Sequence, residues 1–157
     1  MKTLVLLKSY ADVCDIHADR VKIALEHIEN LMPIEAQKLK HLSAEDLGFL
    51  ELLTSRFSKL QDAIGQKIFP LLLRALEEDV TNKSLLDCLN KLEKLGYLES
   101  VGYWQKLREV RNSLTHEYPD NIDFMVQSLN QVTVQADGLL SYWIQLKNSI
   151  AAQFFQK

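Results

Sequence analysis

The sequence predicts an all-α fold, an antiparallel (up-and-down) four-helix bundle with a short additional helix. Only five glycines and three prolines occur among the 157 residues, too few for the frequent turns of a β-sandwich. Good helix formers such as Leu, Ala, Glu, Lys and Gln are abundant, and apolar residues recur at helical intervals. No internal repeat and no long linker divides the chain, so a single helical domain is expected over residues 1–157.

The first two helices are bounded by prolines and by a capping sequence. A helix from about Tyr10 to Leu31 is expected to end before Pro33, with a buried stripe made of Val13, Ile16, Val21, Ala24, Ile28 and Leu31. Ser43–Asp46 has the form of a capping box, so a second helix begins there. Its stripe reads Leu47, Leu50, Leu53, Phe57, Leu60 and Ile64. Pro70 should kink or break this element, which continues to about Glu78 as one bent helix or two.

The second half of the chain predicts three more helices. A short helix from about Lys83 to Leu95 is ended by Gly96, which can adopt the left-handed conformation. A fourth long element runs from Ser100 to about Glu117 and stops at Pro119. The last helix is capped by Asn121 and reaches toward Phe154. Its buried stripe is expected to comprise Ile122, Val126, Leu129, Ala136, Leu140, Trp143, Leu146 and Ile150.

Composition excludes several classes of protein. The formal charge of −3 argues against nonspecific coating of nucleic acid, which needs many neutralised phosphates, although a local basic face remains possible. Cys14 and Cys88 stand alone without a C-x-x-C spacing, which favours reduced thiols in a cytoplasm. The first apolar run is too short for a signal peptide, and none approaches the roughly 20 residues of a membrane span. We expect a soluble, cytoplasmic protein with no membrane partner.

The helix from Ser100 to Glu117 carries most of the candidate chemistry. Its core stripe falls within roughly 60° and comprises Tyr103, Leu107, Val110 and Leu114. Within roughly 140° of one another on a second arc lie the polar side chains Arg108, Arg111, Asn112, Thr115 and His116. Pro119 disfavours the α conformation for Tyr118, so the helix should release near its end. His116 can give and take a proton near neutral pH.

The spacing Arg111-x4-His116-x-Tyr118 resembles the R-x4-6-H motif of HEPN domains, and in particular the R-x4-H-x-Y form of HepT-like toxins. Asn112 is the polar residue that commonly follows the arginine there. The resemblance implies metal-independent cleavage of RNA, in which a ribose 2′-hydroxyl attacks the adjacent phosphate at a site where two protomers meet. It therefore implies a homodimer with an RNA substrate, no cofactor and no metal.

These residue types suit that reaction. His116 would act as general base or acid on the sugar oxygens, and Arg111 would hold the phosphate and offset its developing charge. The side chains expected to orient them by hydrogen bonds are Asn112 and Thr115. Further phosphate contacts are expected from Lys106 and Arg108. No H-E-x-x-H sequence or Cys/His cluster supports a metal site.

The resemblance also implies a partner. HepT-like toxins are commonly encoded beside a minimal nucleotidyltransferase antitoxin that transfers AMP to the motif tyrosine, which is Tyr118 in this chain. An AMP group next to His116 would block RNA sterically and pair its phosphate with Arg111.

Other interpretations stay open at this point. Related bundles resemble a noncatalytic subunit that binds nucleotide or substrate for a minimal nucleotidyltransferase, and a plain interaction module is a third possibility. An Arg, a His and a Tyr near a helix end also occur together on ordinary solvated helices. Trp104 and Trp143 are expected to be core or interface anchors, with stacking on a base as a minor option.

Overall fold

A computed structural model describes residues 2–114 and 121–155, and all regular elements in these ranges are helical. The prediction of an all-α fold is therefore confirmed. The finer expectations, an antiparallel four-helix arrangement and a single domain, stay predictions. In the described ranges, no helix combines the length and the apolar character needed to cross a membrane.

Helix α1 spans Lys2–Ile28 and continues as a 3-10 turn over Glu29–Leu31. The predicted start at Tyr10 was wrong, because the N-terminal residues extend the same helix. The predicted stripe was also wrong in part, since Val13 and Ile16 are exposed at 37% and 51%. The predicted Val21, Ala24 and Ile28 are buried, and the period of 3.6 residues adds Leu7, Ala11 and Cys14 to the core face.

Helices α2 (Ala36–Lys40), α3 (Ala44–Ala63) and α4 (Phe69–Ala75) follow. The Ser43 hydroxyl caps α3 by accepting a hydrogen bond from Asp46 N, as its sequence predicts. Of the predicted α3 stripe, Leu47 is exposed because it lies in the first turn, whereas Leu50 to Ile64 form part of the core. The preceding loop is tethered to the last helix, since the side-chain amide of Asn130 bonds both Ile34 N and Ile34 O.

A π turn over Ile64–Ile68 joins α3 to α4, so the helical backbone is continuous from Ala44 to Ala75. In this turn Phe69 N donates to Ile64 O, five residues back rather than four. Pro70 follows at once, and it has no N–H to donate and crowds the preceding turn of an α-helix. The helix therefore does not break at Pro70. It widens into a π turn just before the proline instead.

Helices α5 (Leu85–Leu95), α6 (Val101–Ser113) and α7 (Ile122–Ile150) complete the described chain, and α7 continues as a π turn over Ala151–Phe155. Each start is capped by a side-chain oxygen, from Ser84, Ser100 and Asn121 in order. Gly96 ends α5 at φ 87°, as predicted. Helix α6 ends at Ser113, and the predicted last turn, residues 115–117, lies outside the described residues.

The core receives buried side chains from α1, α3, the π turn, α4, α5, α6 and α7. Helix α1 packs on α3 and α7, and α6 packs on α3 and α7. Trp104 and Trp143 are both fully buried, which confirms them as core anchors. Trp143 Nε1 donates to Asp15 Oδ1 at 2.9 Å, whereas Trp104 packs on Phe69 with 4.8 Å between ring centroids. The first contact joins α7 to α1, and the second joins α6 to the start of α4, next to the π turn.

Candidate functional site

A cleft of about 270 Å³ opens between the end of α3, the π turn and the outer face of α6. Its lining residues from the first two elements are Gln61, Asp62, Gly65 and Gln66. Leu85 closes it at the start of α5, and the α6 lining residues are Trp104, Arg108, Arg111 and Asn112. The motif arginine therefore lines a concave surface built by four elements.

Arg111 makes a bidentate ion pair with Asp62 across this cleft. Arg111 Nε donates to Asp62 Oδ1 at 2.9 Å, and Nη2 donates to Oδ2 at 2.7 Å. The side chains retain only 24% and 31% of their exposed surface, so water screens the pair weakly. The hydrogen bonds that Arg111 donates to Asp62 raise the pKa of its guanidinium above the ordinary value. Burial lowers this pKa, and the charge of Asp62 raises it further.

The pair orients the guanidinium without using all of its donors. A guanidinium has five N–H groups in a rigid fork, and Asp62 takes the edge formed by Nε and Nη2. The two N–H groups of Nη1 lie on the other edge. A phosphate oxygen can bind there while Asp62 stays in place, or it can displace Asp62 and take the whole fork. Arg111 is thus a positioned cation that shares its charge with a carboxylate.

Three of the predicted site residues are brought together by α6. Arg108 and Asn112 are exposed and line the same cleft as Arg111. Lys106 lies elsewhere, in a groove between α6 and α7 beside Glu109 and Asn130. The reason is helical geometry, because two residues along a helix rotate a side chain by about 200°. Lys106 is therefore separate from the cleft.

Thr115, His116 and Tyr118 lie outside the described residues. Their predicted roles, in orientation, proton transfer and modification, stay predictions. The described chain on this side ends with Leu114, directly after the helix that carries Arg111 along the cleft. The described part of the candidate site is therefore the part that contains Arg111.

Sequence reasoning missed six residues around the cleft: Gln61, Asp62, Gly65, Gln66, Leu85 and, as a core anchor that also supports the cleft, Trp104. A weak signal was present. Gln61 and Asp62 form a polar pair inside the apolar stripe of α3, and Pro70 announces a disturbance of the helix upstream. Neither signal names Arg111 as the partner, because 49 residues separate it from Asp62.

The cleft also contains polar side-chain groups that have no hydrogen-bond partner among the described residues. Gln61 is 3% exposed, and the described residues give its amide no hydrogen-bond partner. Trp104 Nε1 is covered completely and has no partner either. Gly65 permits this close packing, since a Cβ there would lie 3.3 Å from Trp104 Cζ2. Buried polar atoms normally have partners, so Trp104 Nε1 marks an unusual place in the fold.

A second titratable pair lies away from the cleft, between α1 and α3. Arg56 Nη1 lies 3.0 Å from His17 Nδ1, and the half-buried imidazole accepts this hydrogen bond when it is neutral. Burial lowers the pKa of His17 below its ordinary value, and the charges of Arg56 and Lys59 lower it further. His17 therefore serves as a neutral acceptor that joins two core helices.

Comparison of the chain with protein-family models, with curated proteins and with solved structures finds no match. The resemblance of Arg111–Tyr118 to the HEPN motif accordingly rests on that segment and on the helical architecture around it.

Proposed function

We propose that this protein is a HEPN-type, metal-independent endoribonuclease toxin that works as a homodimer of antiparallel four-helix bundles in the cytoplasm. The observation that supports the proposal best is Arg111, the motif arginine, held as an oriented and half-buried cation on the wall of a cleft. Arg108 adds a second cation to the same cleft. An oxyanion on a phosphate is the ligand that such a pair of guanidinium groups favours.

In the proposed reaction, His116 takes the proton of a ribose 2′-hydroxyl. The 2′ oxygen forms a bond to the adjacent phosphorus, the bond from phosphorus to the 5′ oxygen breaks, and the leaving oxygen takes a proton. The products are a 2′,3′-cyclic phosphate and a 5′-hydroxyl. Arg111 stabilises the negative charge that gathers on the phosphate, because its orientation is set before the substrate arrives.

Two-fold pairing would supply what one chain lacks. The net charge of −3 is unfavourable for RNA binding, and a shared site would double the Arg and His side chains that face the substrate. His116 of one protomer can then accept the 2′ proton while His116 of the partner subunit protonates the leaving oxygen. Asn112 and Thr115 are the proposed orienting residues, and Lys106 would contact RNA farther along the surface.

We propose further that a minimal nucleotidyltransferase antitoxin controls the site by adding AMP to Tyr118. The added phosphate would compete with RNA for Arg111, and its negative charge would find the Nη1 edge that Asp62 leaves unused. Modification would therefore close the cleft to substrate by charge and by volume.

Expression in a bacterial host tests this function. Wild type is expected to arrest growth and degrade total RNA, whereas His116→Ala is expected to do neither. His41→Ala is the matched control, because His41 is an exposed histidine far along the sequence from the motif. The proposal is wrong if unmodified wild type leaves growth and RNA unchanged, with mass spectrometry confirming that Tyr118 carries no AMP.

A noncatalytic, nucleotide-binding subunit of a minimal nucleotidyltransferase is the second candidate. The cleft favours it in one respect, because Asp62 neutralises part of the Arg111 charge and the Gln61 amide offers hydrogen bonds to a ligand. This function predicts a stable complex with the nucleotidyltransferase, or nucleotide binding, in a protein that leaves RNA intact.

A further inference from the structure

The side-chain amide of Gln61, which has no hydrogen-bond partner among the described residues, points to a ligand inside the cleft. Among the described residues, Trp104 Nε1 is the one side-chain nitrogen or oxygen atom that is fully covered and has no hydrogen-bond partner. The Gln61 amide also lacks a partner there, and it therefore keeps some exposed surface. The Gln61 side chain as a whole is only 3% exposed, and the opening that reaches it is this cleft. The amide is therefore free to hydrogen-bond a ligand that enters the cleft and displaces water there.

The surroundings of Gln61 add apolar surface from Leu85 to its amide. The Trp104 indole packs against Gly65 and is 0% exposed, so it supports the cleft from the core side. A terminal amide offers one donor and one acceptor side by side, which matches the N7 acceptor and the N6 donor of adenine. Guanine presents two acceptors on that edge, so one donor and one acceptor fit it poorly.

The charged residues of the cleft set the orientation of such a ligand. Arg108 and Arg111 lie on α6, whereas Gln61 lies on α3, so base and phosphate would meet different walls. Single-stranded RNA exposes unstacked bases that proteins read by their edges in this way. A base seated at Gln61 would leave its phosphate beside the Nη1 edge of Arg111.

We infer that the cleft is a subsite for one unpaired adenine base of the RNA, adjacent to the phosphate that Arg111 holds, with Gln61 as the residue that reads the base. This inference rests on the proposed ribonuclease function and deepens it. It assigns a sequence preference to cleavage, and it places the specificity residue on α3, outside the Arg-His motif.

Calorimetric titration of the full chain with AMP and with GMP tests the inference. Wild type is expected to bind AMP about ten-fold more tightly than GMP, as one bidentate base contact provides. Gln61→Met keeps the size of the side chain and removes both hydrogen bonds, so the preference should vanish. Gln61→Glu, a second variant in case the first folds poorly, removes the donor for N7 and should also lose it. Gln135→Met, a half-buried glutamine of another groove, is the matched control.

The outcomes separate this inference from the proposed function. No binding of AMP by wild type, binding of GMP as tight as AMP, or a preference for AMP that survives in both Gln61 variants would overturn the base subsite. RNA cleavage without any such preference would leave the ribonuclease standing alone. AMP binding that depends on Gln61, in a protein that leaves RNA intact, would support the base-reading cleft and remove the nuclease.

Discussion

At the scale of single residues, Asp62 decides how Arg111 can act. A free arginine on a helix samples many rotamers, and ordering it costs up to about 2 kcal/mol of side-chain entropy. The two hydrogen bonds that Arg111 donates to Asp62 fix the guanidinium plane within the folded protein, so substrate binding does not have to order it. The same carboxylate reduces the local positive charge, which makes Arg111 more selective for a ligand with a full negative charge.

Removing Asp62 should destabilise the protein. Asp62→Ala leaves a half-buried guanidinium without its carboxylate, and we expect a loss of about 1–2 kcal/mol in the free energy of unfolding. Asp12→Ala removes the partner of the exposed Lys8 and should cost clearly less, because water screens that pair. Urea denaturation measures both. Equal effects of the two substitutions would show that the Arg111–Asp62 pair contributes little.

His17 predicts a dependence of stability on pH. Because its pKa is lowered in the folded state, the unfolded chain takes up the proton first, so its contribution to stability is present above about pH 6.5 and is lost as pH falls through the lowered pKa. His17→Gln retains an acceptor for Arg56 without a titrating ring, and should lose less stability between pH 7.5 and pH 5.5 than wild type. The exposed His41→Gln serves as control. Parallel losses in wild type and His17→Gln would contradict this account.

Some residues of the site could be predicted from local sequence patterns, and others could not. Arg111 and Asn112 could be placed on a polar helix face from the sequence, because helical periodicity is a local property. Asp62 and Gln61 could not be assigned to the same cleft, since their proximity depends on how α3 packs against α6. Trp104 was correctly predicted to be buried, but its missing hydrogen bond follows from packing against Gly65.

At the scale of the helices, the ends were easier to predict than the interruptions. Ser43, Gly96 and Asn121 mark helix ends through their own side chain or backbone conformation, and the structure confirms all three. The start of α1 was missed, because a short apolar run at its beginning has no cap to mark it. The π turn was missed as well, since Pro70 indicates a disturbance and not its form.

Two glycines, one just after a helix and one inside a helix, should respond in opposite ways to alanine. Gly96 has φ 87°, so Gly96→Ala forces an L side chain into the left-handed region and should cost about 1 kcal/mol. Gly48 lies inside α3 with open space around it, so Gly48→Ala should stabilise the protein by about 0.5–1 kcal/mol. Thermal unfolding of both variants checks the signs. A stabilising Gly96→Ala would contradict the assigned cap.

At the scale of the whole molecule, composition is enough to predict the fold class but not the packing of the helices. Scarce glycine and proline with abundant helix formers led to an all-α fold, and all regular elements described are helices. The contacts of α6 with both α3 and α7 are what turn a polar helix face into the wall of a cleft. Such long-range contacts have no counterpart in the local patterns of the sequence.

The proposed dimer makes a prediction at this scale. Analytical ultracentrifugation at micromolar concentration should give a mass near twice the 18.1 kDa of one chain. The reason is the shared site, which needs cations and imidazoles from two protomers. A protein that cleaves RNA while sedimenting as a monomer at every concentration would show that one chain suffices, and the doubled site would have to be abandoned.

The most direct measurement of the central claim is cleavage of a labelled single-stranded RNA by purified, unmodified protein in EDTA. Wild type and His41→Ala should cut it and leave 2′,3′-cyclic phosphate ends, whereas His116→Ala and Arg111→Ala should slow cutting by at least about a hundred-fold. A substrate with 2′-deoxyribose at the cut position should resist. Cleavage that persists in His116→Ala, or that proceeds at the 2′-deoxy position, would contradict the proposed chemistry.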